Sequence, residues 1–151
     1  MENVHYQVAE IEISYKPKFK AADRPQISSS VEAYEIILDS WNKDQIELLE
    51  EFKIVLLNRR SRVLGIVKIS AGGIAGTFVD PKIIFAAALK ACASGIILTH
   101  NHPSGECNPS EADLSLTRKL FETGKLLDIS ILDHLIISPD RYYSFKDDCV
   151  L

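Results

Sequence analysis

Apolar and polar residues alternate near the start of the chain in the way expected of a half-buried β-strand. The apolar positions, which slip by one residue after the third, are Val4, Tyr6, Val8, Ile11, Ile13 and Tyr15. From Lys16 to Ser30 the composition turns polar, with two prolines and three consecutive serines, which is typical of a connector. We therefore expect an N-terminal extension over residues 1–30 that contains a bulged strand, and one domain over residues 31–151.

Helical periodicity follows the extension, and each long stretch has a capping residue ahead of it. Ser29 and Glu32 have the spacing of a capping box. Asp80 with Pro81 is a favourable start, because Pro is tolerated at the first helical position. A shorter helical stretch is predicted for residues 44–51. The longer predicted helices are residues 31–41, residues 81–92, and one that begins after Ser110.

Runs of strand-forming residues separate these helices. A polar turn lies between the first two runs and predicts a hairpin, whereas the later runs alternate with helices. This mixture predicts an α/β fold in which helices flank a mixed β-sheet. The glycines at 72, 73 and 76 are too irregular for a phosphate-binding motif, so we assign that loop no ligand. The predicted strands are residues 52–57, 62–70, 96–100 and 131–138.

Composition narrows the class of protein. Hydrophobic residues make up 46% and charged residues 25%, as in an ordinary globular domain. The net charge of −4 argues against broad nonspecific binding to nucleic acid, which needs a surplus of Lys and Arg. No apolar run is long enough to cross a membrane, and the N-terminus lacks the features of an export signal. We expect a cytoplasmic protein, in which the three scattered cysteines are free thiols.

The strongest chemical signal lies where the third predicted strand ends. His100 and His102 are two residues apart, so in an extended chain both imidazoles point to the same side. A loop rich in Pro and Gly follows and can bring Asp113, in the first turn of the next helix, back over the strand end. Two imidazoles and a carboxylate are a donor set of catalytic zinc sites, which leave a position for water. We predict a divalent metal ion, preferably zinc, in an open site that activates water for hydrolysis.

Simpler interpretations of these residues remain open at this point. Ser110 and Asp113 have the spacing of a capping box and would then only satisfy backbone donors. Histidines in loops often do no more than form hydrogen bonds. His134 lies between apolar residues in a predicted strand, which is typical of a hydrogen-bonded core histidine.

The residues also match a known pattern. His-x-His, seven residues, Ser, two residues and Asp resembles the JAMM motif of the MPN/JAB metalloprotease fold. The fuller text, His-Asn-His-Pro-Ser-Gly from His100 and Leu-Asp-His-Leu-Ile around His134, is similar to the RadC branch. The resemblance covers about residue 30 to the C-terminus and implies a cytidine deaminase-like architecture.

The resemblance also implies roles for particular residues. Zinc would be bound by His100, His102 and Asp113, and Ser110 would help to stabilise a tetrahedral oxyanion. A glutamate ahead of the first strand of the domain would act as general acid and base. Glu50 fits this pattern better than Glu51, because the RadC pattern has Phe two residues after the glutamate, as at Phe52. His134 would lie beside the metal ligands or face the substrate.

Two functions follow from these expectations. The first is a zinc-dependent hydrolase of peptide or isopeptide bonds, with a protein or peptide as its substrate. The second is an accessory protein of DNA repair or recombination whose metal site is structural or vestigial. Longer members of the resembling family carry a helix-hairpin-helix module, whereas only about thirty residues precede the domain here, so support for DNA binding is weak. A zinc deaminase would need a Cys-x-x-Cys ligand pair, which the sequence lacks.

The oligomeric state stays open, since the extension could pair with a sheet edge of its own or of another chain.

Overall fold

The centre of the fold is a mixed sheet of five strands, in the order β2-β1-β3-β4-β5. The structure is a computed structural model that describes residues 7–73 and 76–151. β1 is antiparallel to both β2 and β3, β3 is parallel to β4, and β4 is antiparallel to β5. The strands are β1 Glu51–Leu57, β2 Val63–Ala71, β3 Gly95–Asn101, β4 Ser130–Ile137 and β5 Tyr142–Ser144.

Helices cover both faces of this sheet. The helices are α1 Ser30–Asp39, α2 Pro81–Lys90 and α3 Glu111–Leu126. α1 packs against one face through Ala33 and Ile37, which belong to the same buried cluster as Val55 of β1. α2 and α3 pack against the other face, where Ile54 is buried among their apolar residues. The predicted α/β fold with a mixed sheet flanked by helices is therefore confirmed. Within the described residues, no helix combines the length and the apolar character needed to cross a bilayer.

Alternation of side chains along β1 and β3 explains the two-sided core. Phe52, Ile54 and Leu56 point towards α2 and α3, whereas Val55 and Leu57 point towards α1. Because successive residues of a strand face opposite sides of the sheet, each central strand contributes to both cores. β1 and β3 are buried along their whole lengths, which explains why they appear in the sequence as continuous apolar runs.

The predicted N-terminal strand is wrong over the described residues. Residues 7–17 belong to no strand, and Ile11 and Ile13 are 88% and 81% exposed. The positions Val4 and Tyr6 lie outside the described residues. Alternation alone does not make a strand when no neighbouring strand supplies hydrogen bonds, and here Tyr15 only donates its hydroxyl to the carbonyl of Leu64 at 3.0 Å.

The end of the extension contacts the domain directly. Gln26 forms an antiparallel bridge with Arg62, and Ile27 is buried in the core on the α1 side. The backbone amide of Ile27 also donates to the carbonyl of Ser61 at 2.9 Å. The packed unit thus includes residues that precede α1.

Two other local predictions need correction. Residues 43–48 form turns instead of the predicted helix over residues 44–51, because Glu51 already pairs in β1 and leaves too short a segment for stable helix formation. The helix predicted to reach Cys92 ends at Lys90, and Cys92 itself has a positive φ of 53°, which ends the helical path. β5 was not predicted, because its three residues pair only with the end of β4.

Asp133 joins β4 to the segment that follows β5. It is only 5% exposed, and its carboxylate accepts hydrogen bonds from the Ser144 hydroxyl at 2.7 Å and the Lys146 amide at 3.0 Å. Burial raises the pKa of this carboxyl above its usual value, and the hydrogen bonds offset only part of that effect. The charged form is therefore disfavoured in the folded protein.

We expect Asp133→Asn to become more stable relative to the native protein as the pH rises. Above about pH 4 the unfolded chain ionises Asp133 freely, whereas the folded chain resists ionisation until its raised pKa is passed. The native free energy of unfolding therefore falls over that window, whereas the Asn amide does not titrate and contributes no such change. Urea unfolding of both proteins from pH 4 to pH 8 measures this. A pH-independent difference between them would contradict the assignment.

Candidate metal centre

Three potential metal ligands converge where β3 ends and α3 begins. His100 is 2% exposed at the end of β3, and its Nε2 lies 3.0 Å from Nε2 of His102. Asp113, in the first turn of α3, places Oδ1 3.2 Å from Nε2 of His100 and Oδ2 3.6 Å from Nε2 of His102. Among the described residues, these are the three that could hold a metal ion together. The structure thus brings together the side chains that the sequence predicts as ligands.

The spacing of these atoms fits a tetrahedral zinc ion. Zn–N and Zn–O bonds of about 2.0–2.1 Å separate the ligand atoms of a tetrahedral site by roughly 3.4 Å. The three distances of 3.0, 3.2 and 3.6 Å lie on either side of that value. Shifts of a few tenths of an ångström would be enough to accommodate the ion.

The electrostatics of the cluster also call for a cation. Burial by itself would raise the pKa of Asp113, but the imidazoles of His100 and His102 beside it outweigh that effect and hold this pKa well below its usual range. The Asp113 carboxylate in turn raises the pKa of His102, against the effect of burial. A carboxylate held in its charged form between two imidazoles is a good ligand set, because metal ions bind the deprotonated groups.

Ser110 and Asp113 form the capping box that was the simpler interpretation. Ser110 is the N-cap of α3, its hydroxyl accepts from the Asp113 amide at 3.1 Å, and Oδ2 of Asp113 accepts from the Ser110 amide at 2.7 Å. The Ser110 hydroxyl also donates to Oδ2 at 2.8 Å. Capping therefore occupies Oδ2 and fixes the carboxylate so that Oδ1 points at His100. The capping and metal-binding interpretations are compatible with each other.

Glu50 and Glu51 lie on opposite faces of the sheet. Phe52 of β1 pairs with His100 of β3, and Glu50, two residues earlier, lines the same cavity of about 290 Å³ as His100, His102 and Asp113. The Glu51 side chain is on the other face, where it is 4% exposed and pairs with Lys68 at 2.6 Å. A carboxylate held there cannot reach the ligand cluster. The geometry favours Glu50 as the residue that could move protons at the site.

Asn101 fixes the backbone that carries Glu50. Its side chain is fully buried, and Oδ1 accepts from the Glu51 amide at 2.7 Å. Nδ2 donates to the carbonyls of Ile46 at 2.6 Å and Leu49 at 2.7 Å. On the other side, the Gly72 amide donates to the carbonyl of Glu50 at 2.8 Å. The residue between the two histidines therefore positions the segment that faces them.

His134 lies directly behind His100. It is fully buried, and its Nε2 is 2.9 Å from Nδ1 of His100. Its ring stacks on Phe145 with centroids 4.6 Å apart, and burial lowers its pKa well below the usual value. His134 is thus a hydrogen-bonded core histidine and also lies next to a predicted metal ligand, so the two interpretations are compatible.

A mixed sheet with His-x-His at a strand end and Asp in the first turn of the following helix defines a JAB-like domain. Residues 27–150 match the family described as the RadC-like JAB domain. The chain therefore belongs to the RadC family, as the resemblance in its sequence implied. The metal ligands and the other site residues have not been tested by this match and stay predictions.

Curated relatives agree with this assignment. A UPF0758 protein of Flavobacterium johnsoniae is 50% identical over 99 residues, which cover 66% of this chain and 43% of that protein. A UPF0758 protein of Alkaliphilus metalliredigens is 45% identical over 102 residues, which cover 68% of this chain and 44% of that protein. The matched region spans less than half the length of these relatives, and their names state no activity.

We predict that Asn101→Ala lowers the free energy of unfolding by about 2–4 kcal/mol, because it leaves the buried Glu51 amide, the buried Ile46 carbonyl and the partly buried Leu49 carbonyl without their partner. Thr99→Val is the matched control on the same strand. Thr99 is also fully buried, and within the described part of the chain its hydroxyl has no hydrogen-bond partner, so we expect Val to be neutral or stabilising. Denaturant unfolding of both variants checks this, and equal losses would contradict the role of Asn101.

Proposed function

We propose that this chain is a zinc-dependent hydrolase of peptide or isopeptide bonds. The observation that carries the proposal is the convergence of His100, His102 and Asp113 in a cavity that also holds Glu50. Structural zinc sites are closed by four protein ligands, whereas catalytic sites keep one position for water or substrate. Three converging ligands and a neighbouring carboxylate are the parts that metal-assisted hydrolysis requires.

When bound at these residues, zinc would lower the pKa of a water molecule and polarise the carbonyl of the scissile bond. Glu50 would take up the proton that this water loses and pass it to the leaving nitrogen, as a general base and then a general acid. Gly72 holds the backbone of Glu50 on one side, and the contacts of Asn101 hold the next residue on the other. The point from which the Glu50 side chain extends is therefore fixed. Peptide and isopeptide bonds both present a carbonyl and an amine leaving group that suit this sequence of proton transfers.

The capping role of Ser110 competes with its predicted role in stabilising an oxyanion. Its hydroxyl proton is directed at Oδ2 of Asp113, so stabilising an oxyanion requires this hydroxyl to turn away from its cap. The structural role, which keeps the Asp113 carboxylate aimed at the histidines, needs no such rearrangement. The oxyanion role remains a prediction of the family resemblance.

The alternative, a DNA-associated accessory protein, predicts a metal that is bound without hydrolysis. The net charge of −4 gives little support to a large contact with a phosphate backbone. A protein or peptide partner is the better match to a cavity with a carboxylate beside the predicted ligands. Separate measurements of metal content and of hydrolysis distinguish the two functions, because only the hydrolase requires both.

We expect the purified chain to contain about one zinc ion per molecule and His102→Ala to lose it, because three protein ligands cannot be reduced to two without a large loss of affinity. Cys107→Ala is the control, because burial raises the pKa of that thiol and keeps it protonated, which makes it a poor ligand. Elemental analysis after purification without chelators or a nickel column provides the measurement. Metal that stays with His102→Ala, or leaves with Cys107→Ala, would place the site elsewhere.

Glu50→Gln should lower hydrolysis by about 10²–10⁴-fold, the usual contribution of a general acid and base, while zinc stays bound. Glu51→Gln should keep most of the activity, because Glu51 lies on the opposite face. A pooled library of peptides and isopeptides provides the substrates, and far-UV circular dichroism checks that both variants are folded. An inactive Glu51→Gln beside an active Glu50→Gln would reverse the assignment. If both variants stayed active, neither glutamate would be the general acid and base.

A further inference from the structure

We propose that Thr117 and His134 are positioning residues that fix the tautomer of His100, so that its Nε2 presents a lone pair to the metal. The inference deepens the proposed metal site and rests on it for its effect on metal affinity. The hydrogen bonds themselves depend only on the contacts behind His100. These contacts form a chain that starts and ends at Asp113.

The chain begins at a bond whose direction is fixed by chemistry. Oγ1 of Thr117 lies 2.6 Å from the backbone carbonyl of Asp113, one helical turn earlier in α3. A carbonyl oxygen can only accept, so the single hydroxyl proton of Thr117 must point at it. Oγ1 is also 2.6 Å from Nδ1 of His134. Because the hydroxyl proton is already used, Nδ1 of His134 has to be the donor in this second contact.

The donor and acceptor roles of His134 then determine those of His100. A neutral imidazole carries one proton, so donation from Nδ1 leaves Nε2 of His134 as an acceptor. Nε2 lies 2.9 Å from Nδ1 of His100, which must therefore supply the proton for that hydrogen bond. When His100 is neutral, its Nε2 is therefore left without a proton, and this is the atom that lies 3.2 Å from Oδ1 of Asp113.

Packing prevents His134 from adopting another arrangement. The ring is fully buried between the stacked Phe145 and the edge-on Phe52, whose centroid is 5.8 Å away. In the opposite tautomer, the lone pair of Nδ1 would face the lone pairs of Oγ1 of Thr117 at 2.6 Å. That arrangement would lose the hydrogen bond between Thr117 and His134 and would add repulsion between their lone pairs, and the packed rings leave no room to relieve it.

The second histidine is oriented by an independent bond of the same kind. Nδ1 of His102 lies 2.7 Å from the carbonyl of Glu106, which can only accept. His102 therefore donates from Nδ1 and also directs an unprotonated Nε2 at the ligand cluster when it is neutral. Outer partners that fix the tautomer of a ligand typically contribute 10–100-fold to metal affinity.

Nitrogen-15 labelling of the histidines tests the tautomers directly in the metal-free protein at pH 8. Long-range proton–nitrogen spectra distinguish a protonated Nδ1 from a protonated Nε2 in each ring. We expect the Nδ1–H form for His134, and a shift towards the Nε2–H form in Thr117→Val. A native His134 protonated at Nε2, or one whose tautomer is the same in Thr117→Val, would overturn the proposal whether or not the protein is a hydrolase.

Zinc affinity, measured by competition with a chromogenic chelator, tests the consequence. We expect Thr117→Val to weaken zinc binding about 10-fold and Thr117→Ser to restore it. Thr123→Val is the matched control, because Thr123 makes the same bond to a carbonyl four residues earlier, Lys119 at 2.7 Å, on an exposed part of α3. Equal affinities of Thr117→Val and Thr123→Val would overturn the positioning role. If the native chain bound no zinc, the proposed function and this effect on affinity would both fail, while the tautomer spectra would still decide the hydrogen-bond chain.

Discussion

The alternation of side chains at the paired ends of β1 and β3 is the constraint on which the site depends. Phe52 pairs with His100, so residues of even number near these ends face α3 and residues of odd number face α1. This places Glu50 in the cavity with the ligands and Asn101 on the opposite side, where it fixes the backbone. A shift of the register by one residue would exchange these two sets and remove the ligands from the cavity.

Each predicted ligand makes a second contact that leaves the atom facing the other two ligands free. His102 is bound through Nδ1 to the carbonyl of Glu106, and His100 is bound through Nδ1 to His134. Asp113 uses Oδ2 for the cap of α3. The cluster therefore concentrates electron pairs at a nearly buried point, which is unfavourable unless a cation is shared there. Helix capping, usually a matter of stability, here also orients the carboxylate of Asp113 towards His100.

The sequence predicted the parts of this arrangement that follow from local rules. Capping residues and periodicity located the three helices and four of the strands, and His-x-His at a strand end predicted the convergence of His100 and His102. The prediction failed where a partner distant in sequence decides the outcome. Residues 8–15 alternate correctly but lack a neighbouring strand, and residues 43–48 form turns because Glu51 already pairs with Ala71 in the sheet. Thr117 gave no signal beyond its place on a helix face, since its contact with His134 exists only in the folded chain.

X-ray absorption at the zinc edge of the metal-loaded protein is the sharpest test of the metal centre, because it reports which atoms surround the ion without requiring a substrate. We expect nitrogen and oxygen neighbours at about 2.0–2.1 Å, with the multiple-scattering pattern of two imidazoles and one position occupied by water. A sulfur neighbour at about 2.3 Å, or a spectrum without two imidazoles, would contradict a centre built from His100, His102 and Asp113.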